Sequence, residues 1–199
     1  MVFQSVPSQR EARMALLAPA MLKSPKATTS PVGSELTALT APLRPVPKPD
    51  QVVPVSVAAW KTGGSKMFIA PDKPVTVDEL LHGVIIQSGN DACIALAEAI
   101  AGTEQAFAQM MNKEGQRLGM AGTQYRNSTG LTEDGHYTTA RDLALLANAL
   151  IRDFPEYYPL YSTLDYTYNG IKQGNRNRLL TMDRSVDGMK TGHTDAAGW

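Results

Sequence analysis

The chain has 199 residues, 43% of them hydrophobic, with 19 basic and 19 acidic side chains. That length supports one domain with its own core, and zero net charge gives no pull toward nucleic acid or an anionic membrane. No apolar run reaches the ~18 residues of a transmembrane span, and the lone Cys93 excludes an internal disulfide.

Residues 1–50 differ in kind from the rest. They hold one aromatic, Phe3, one glycine, Gly33, and eight of the thirteen prolines. Ser and Thr fill much of the remainder. Such a segment buries too little apolar surface to offset its ordering entropy, so poor order is expected there. Arg10 and Arg13 precede an apolar run from Met14 to Leu22, the outline of a signal peptide. Glu11 interrupts the positive region and no small-x-small cleavage pattern follows, so this export signal is weak.

Residues 51–199 read as the domain. Val52 to Val57 reads as a short β segment, with Pro54 pointing to an edge. Lys61-Thr62-Gly63-Gly64-Ser65-Lys66 reads as a turn, because it lacks the glycine and lysine spacing of a phosphate loop. Thr76 and Glu79 form a capping box that opens a helix with Leu80, Leu81, Val84 and Ile85 on one face. That helix stops near Gln87. A second runs from about Asp91 to Ala101, with Asp91 at its positive end, Cys93 as a packing residue and Gly102 as its stop. Ser88, Gly89 and Asn90 therefore lie on a tight link between two helices.

Thr103 caps a third helix with Phe107, Met110, Met111 and Leu118 inward and Gly119 as its stop. A loop rich in Asn, Thr and Gly spans Tyr125 to His136. A fourth helix starts near Thr139, places Leu143, Leu146, Ala147, Leu150 and Ile151 on one face, and ends at Pro155. Leu164, Tyr166 and Tyr168 alternate ahead of Asn169-Gly170, which predicts a hairpin with a type I′ turn. Val186 to Thr191 reads as a last strand carrying Lys190.

Ser88 offers a hydroxyl that can relay a proton, and Asn90 an amide that can hold a substrate amide. Taken alone, Ser-Gly-Asn also suits any polar turn between helices. Lys190 and Thr191 suit a substrate carboxylate, and Gly192 leaves room beside the backbone. Alone, this word is weak too, since Lys61-Thr62-Gly63 repeats it. The three histidines, His82, His136 and His193, match no metal-ligand spacing. His193 is notable because it adjoins Lys190-Thr191-Gly192.

The combination is more specific. Gly83 to Ala92, Tyr137 to Ala144, Tyr168 to Gln173, Asn175-Arg176-Asn177 and Val186 to Thr194 occur in one order. In that order they resemble the serine D-alanyl-D-alanine carboxypeptidases, the low-molecular-mass penicillin-binding proteins. The resemblance covers roughly Gln51 to Gly198. It implies an α/β (α+β) fold of the DD-peptidase and β-lactamase type, an antiparallel sheet with flanking helices and a helical subdomain. It implies a peptidoglycan stem peptide ending in D-Ala-D-Ala as substrate, β-lactams as ligands, no cofactor and a periplasmic or cell-envelope location. A serine nucleophile would form an acyl-enzyme that water releases. By position, Ser88 would assist proton transfer and Asn90 would position the substrate amide. Lys190, Thr191 and Gly192 would hold the terminal carboxylate, with Arg176 and His193 near that subsite.

The family's nucleophile lies in a Ser-x-x-Lys word, where one helical turn brings the lysine amine to the serine hydroxyl. No serine of this chain has lysine at that spacing; Ser24, Ser30, Ser34 and Ser65 are followed at the third position by Ala27, Gly33, Thr37 and Phe68. With the composition change near Asp50 and the end at Trp199, this leads to the expectation of an incomplete family member. Its first 50 residues would be divergent, its sheet incomplete, and its activity in doubt. A non-catalytic binder of stem peptides and a β-lactamase-like hydrolase are the competing readings, and the surrounding words fit the carboxypeptidases better.

Overall fold

The computed structural model describes residues 47–197. Residues 1–46, including the Met14 to Leu22 run, and residues 198–199 lie outside the described residues.

The chain opens with β1 (Val52–Val53) and α1 (Val57–Lys61), followed by β2 (Val75–Thr76) and α2 (Val77–Ile85). Three longer helices follow: α3 (Asn90–Ala101), α4 (Glu104–Arg117) and α5 (Ala140–Asp153). A 3-10 turn (Tyr158–Ser162), the hairpin β3 (Asp165–Tyr168) and β4 (Ile171–Gly174), and the short α6 (Leu179–Met182) complete the described residues. The strands form two separate antiparallel pairs, β1 with β2 and β3 with β4.

Helix α3 is the centre. Nine of its twelve residues are buried, among them Cys93, Leu96 and Ile100. It packs against α1, α2 and α4. A helix with so little exposed surface gains its stability from packing on every side. The helix starts follow the expected chemistry. Thr76 accepts from the Glu79 N–H at 3.2 Å while Glu79 Oε2 accepts from the Thr76 N–H at 2.8 Å. Thr103 and Thr139 cap α4 and α5 through the hydroxyl alone, accepting from the Ala106 and Asp142 N–H groups at 3.1 Å, each contributing about 1 kcal/mol. Asn169 and Gly170 have φ of 50° and 76°, as a type I′ turn requires.

Three expectations need correction. Val55 to Val57 is not strand: the ladder ends at Val53, and Ser56 caps α1 by accepting from the Ala59 N–H at 3.0 Å. Ser56, four residues before Trp60, was the available signal, masked by the four valines of the stretch. Ile151 is 44% exposed, because the buried face of α5 is Asp142, Leu146, Ala149 and Leu150. Val186 to Thr191 carries no strand assignment. A strand needs a neighbour for its ladder; among the described residues this segment is held by side chains instead.

The loop between α4 and α5 is ordered by buried polar groups. Asp142 accepts from the Gly122 N–H at 2.9 Å and from Thr123 Oγ1 at 2.6 Å. Asn112 donates to Tyr125 O at 2.8 Å and accepts from the Tyr125 N–H at 2.7 Å. His136 is 6% exposed in this loop, edge-on to Tyr125 at 5.8 Å. Burial pushes its pKa down to about 4, against a smaller upward pull from Glu133. The unfolded chain binds this proton near pH 6.5 and the folded chain only near 4, so stability is full above 6.5 and falls as pH drops toward 4. The loss has an upper bound on the order of 3 kcal/mol. We expect the melting temperature of His136→Gln to fall less than that of the unmodified chain between pH 6.5 and 4. Parallel curves in differential scanning calorimetry would contradict this.

Candidate active site

Asp91 assembles the site from the inside. Its carboxylate has no exposure and accepts four backbone N–H groups. Met67 donates to Oδ1 at 2.8 Å, Phe68 to Oδ2 at 2.8 Å, Ile69 to Oδ2 at 3.2 Å and Ala92 to Oδ1 at 2.9 Å. Three successive N–H groups aimed at one anion need a turned backbone, and Phe68 supplies it with φ of 70°. Residues 67–69 are thereby fixed to the first turn of α3.

Gly89 and Gly83 are required by this approach. A Cβ on Gly89 would stand 2.9 Å from Asp91 Oδ1 and 3.0 Å from Met67 N. One on Gly83 would overlap Met67 Sδ at 2.2 Å. Between the helices Ser88 takes φ of 60°, in the left-handed region that costs a non-glycine residue about 1 kcal/mol. The Gly89 N–H closes the link on Gly83 O at 3.0 Å. Ser88 is half-buried on this bend.

Asn90 is 6% exposed and oriented by the Lys61 to Lys66 loop. Its Nδ2 donates to Gly63 O at 2.9 Å, and its N–H donates to Ser65 O at 2.8 Å. The same loop is tied to the hairpin, since Gln173 Nε2 donates to Lys66 O at 3.0 Å. The segment leaves α1 at Lys61 and continues as a loop, which forms one wall of the Ser88 to Asn90 site.

Arg176 reaches the other side of that link. Its N–H donates to Ile86 O at 3.2 Å, its Nε to Gln87 O at 3.4 Å and its Nη2 to Gln173 Oε1 at 3.2 Å. Asn177 then holds the lysine word, donating to Gly188 O at 3.0 Å and Met189 O at 3.1 Å. Met189 packs with Ile85, Ile86, Leu150 and Tyr161. Lys190 is half-buried, with its Nζ donating to Thr191 O, and Thr191, Gly192 and His193 are exposed beyond it. The two halves of the predicted site are thus connected through residues 175–177.

The sequence profile of the D-alanyl-D-alanine carboxypeptidases matches residues 39–199. This chain belongs to that family. The D-alanyl-D-alanine carboxypeptidase DacA of Escherichia coli K12 is 46% identical over 160 residues, which are 76% of this chain and 40% of DacA. DacC of the same strain is 47% identical over 155 residues, covering 74% of this chain and 39% of DacC. The solved penicillin binding protein 5 of Haemophilus influenzae aligns over 98% of this chain and 52% of its own, with 35% identity and a TM-score of 0.74. Penicillin binding protein 6B of Escherichia coli aligns with 34% identity and a TM-score of 0.73, over 96% of this chain and 57% of its own. The chain therefore spans about two fifths of the length of the curated carboxypeptidases it matches.

The family membership and the DD-peptidase fold agree with the motif order read from the sequence. Several residues that build this candidate site were not legible there. Asp91 read only as a helix-end charge, and Asn177 and Gln173 only as parts of words. Their work is to bond backbone groups distant in sequence, which leaves no local pattern. No helix among the described residues is long and apolar enough to cross a membrane.

Replacing Asp91 by Ala leaves buried N–H groups facing an apolar side chain. We expect a loss of about 3 kcal/mol or more, since hydrogen bonds to a charged group contribute about 1.5–3 kcal/mol each. Asp91→Asn, which keeps the volume but loses an acceptor, should cost about 2 kcal/mol. Urea unfolding measures both, and a loss under about 1 kcal/mol for the alanine variant would contradict the role given to this carboxylate.

Proposed function

We propose that this chain carries the substrate-binding half of a serine D-Ala-D-Ala carboxypeptidase site. Its ligand is a peptidoglycan stem peptide ending in D-Ala-D-Ala, or a β-lactam of the same shape, in the bacterial envelope. The observation that supports this best is the fixed Asn90 amide joined through residues 175–177 to Lys190. With Nδ2 donating to Gly63, a substrate N–H would meet the Asn90 carbonyl oxygen. The terminal carboxylate of the peptide would pair with Lys190 and the Thr191 hydroxyl, and Gly192 admits it close to the backbone. Ser88, on its strained bend, would pass a proton to the leaving D-alanine during acyl transfer.

Acylation itself needs a serine activated by a base. In the family this is the Ser-x-x-Lys pair, and no such pair occurs within these 199 residues. A comparable hydrolase loses roughly 10⁶ in turnover without its nucleophile. These residues by themselves therefore bind without acylating. In this proposal the residues ahead of the matched portion, 1–38, form no part of the catalytic domain.

Two measurements test it. Calorimetry with a D-Ala-D-Ala peptide should show reversible binding that Lys190→Ala weakens roughly tenfold, the loss of one charge-assisted contact. Intact-mass spectrometry after incubation with penicillin should show an unmodified chain. A mass increase of one penicillin would show that a serine here is activated, and mapping the adduct would identify it. No peptide binding by a folded chain would end the proposal.

A further inference from the structure

Residues 175–177 contact both halves of the site within three positions. Asn175 Nδ2 donates to Tyr161 O at 3.2 Å and to Thr163 O at 2.9 Å, which fixes the segment to the 3-10 turn. The Arg176 N–H holds Ile86 O, two residues ahead of Ser88. Asn177 is 5% exposed and faces the segment that ends in Lys190. Its N–H is held by Asn175 Oδ1 at 2.9 Å, and its own Oδ1 accepts from the Leu179 N–H at 3.2 Å.

The side chain of Asn177 is used on both sides. One nitrogen donates to the carbonyls of Gly188 and Met189, and the oxygen accepts from Leu179. These partners also settle which end of the amide is nitrogen, because carbonyls can only accept and an N–H can only donate. Aspartate offers acceptors alone when ionised, serine one donor, and lysine no acceptor. The other anchors of this segment are the Met189 side chain and Tyr158, whose Oη donates to Asp187 Oδ1 at 2.9 Å. Asn177 is the anchor on the peptide unit that leads into Lys190.

We infer that Asn177 is a positioning residue for Lys190, and that residues 175–177 set the spacing between the Ser88 to Asn90 link and the Lys190-Thr191-Gly192 word. The effect on ligand binding rests on the carboxylate-holding role proposed for Lys190. The geometric claim does not.

The test is Asn177→Asp in the full chain at pH 8. The introduced carboxyl would face Arg176 and Arg178 on its own segment, Asp187 and Lys190 opposite, and Tyr158 and Tyr161 from the 3-10 turn. At pH 8 its oxygens oppose the Gly188 and Met189 carbonyls. The NMR amide signals of Lys190 and Thr191 should shift, and binding of a D-Ala-D-Ala peptide should weaken roughly tenfold, a change of about 1.4 kcal/mol. The amide signals of Cys93 and Leu96, buried in α3, should stay in place. A general loss of packing would shift those core signals as well. Unshifted Lys190 and Thr191 signals at pH 8 would overturn the inference. Should the variant not fold, Asn177→Ala takes its place, with the same shift and weakening expected. If Lys190→Ala binds peptide as well as the unmodified chain does, the carboxylate role fails and the amide shifts alone decide the positioning claim.

Discussion

A buried carboxylate organises this molecule. Asp91 has given up its water entirely and replaced it with the N–H groups of Met67, Phe68, Ile69 and Ala92. Removing an anion from water costs several kcal/mol, and fixed N–H dipoles at a helix N-terminus can offset that cost. The bargain has strict geometry. Phe68 must turn into the left-handed region, and Gly83 and Gly89 must lack side chains so that Met67 can approach. Ser88 is bent by the same closure. The link that would touch a substrate is therefore shaped by a group that never meets one.

The rest of the site is held by amides. Asn90 is turned by Gly63 O, Gln173 reaches Lys66 O, Gln87 Nε2 donates to Tyr166 O at 3.1 Å, and Asn177 spans two carbonyls. Amide side chains carry donor and acceptor together and have no charge to desolvate, so they can join irregular backbone inside a protein. Irregular backbone is common here. The Lys61 to Lys66 loop, residues 67–69 and the Val186 to Gly192 segment all run without a ladder. Their positions depend on individual hydrogen bonds, which confers precision at the sites those bonds serve. It also makes each bond individually consequential, since no neighbouring ladder compensates for its loss.

Membership of the D-alanyl-D-alanine carboxypeptidase family and the proposed binding residues fit together with one exception. The relatives' sequences extend well beyond the matched portion, and this chain contains no Ser-x-x-Lys. Binding and acylation rest on different physical requirements. Binding needs an oriented amide and a cation, which Asn90 and Lys190 can supply. Acylation needs a hydroxyl with a base one helical turn away, and that spacing is what is missing.

The elements governed by local rules were legible from the sequence. The Thr76, Thr103 and Thr139 caps, the Gly102 and Gly119 stops and the Asn169-Gly170 turn all satisfy backbone groups within a few residues, so their signals are short. The order of the family words was legible for a related reason: each word is contiguous. Where the sequence misled, the deciding contact was distant. Val186 to Thr191 has the composition of a strand, but a strand exists only through its neighbour. Ile151 fits the apolar period of α5, but which stripe turns inward is decided by what packs against it. Asp91 carries one local signal, a charge at a helix start, whereas three of its four N–H partners lie 22 to 24 residues away. Asn177 and Gln173 bond carbonyls that no spacing rule connects to them. Caps and turns are enforced by steric and hydrogen-bonding rules within a few residues, so the sequence determined them by itself. The spacing of Asn90 and Lys190 was decided by tertiary structure alone, because hydrogen bonds between distant segments set it and leave no period or motif.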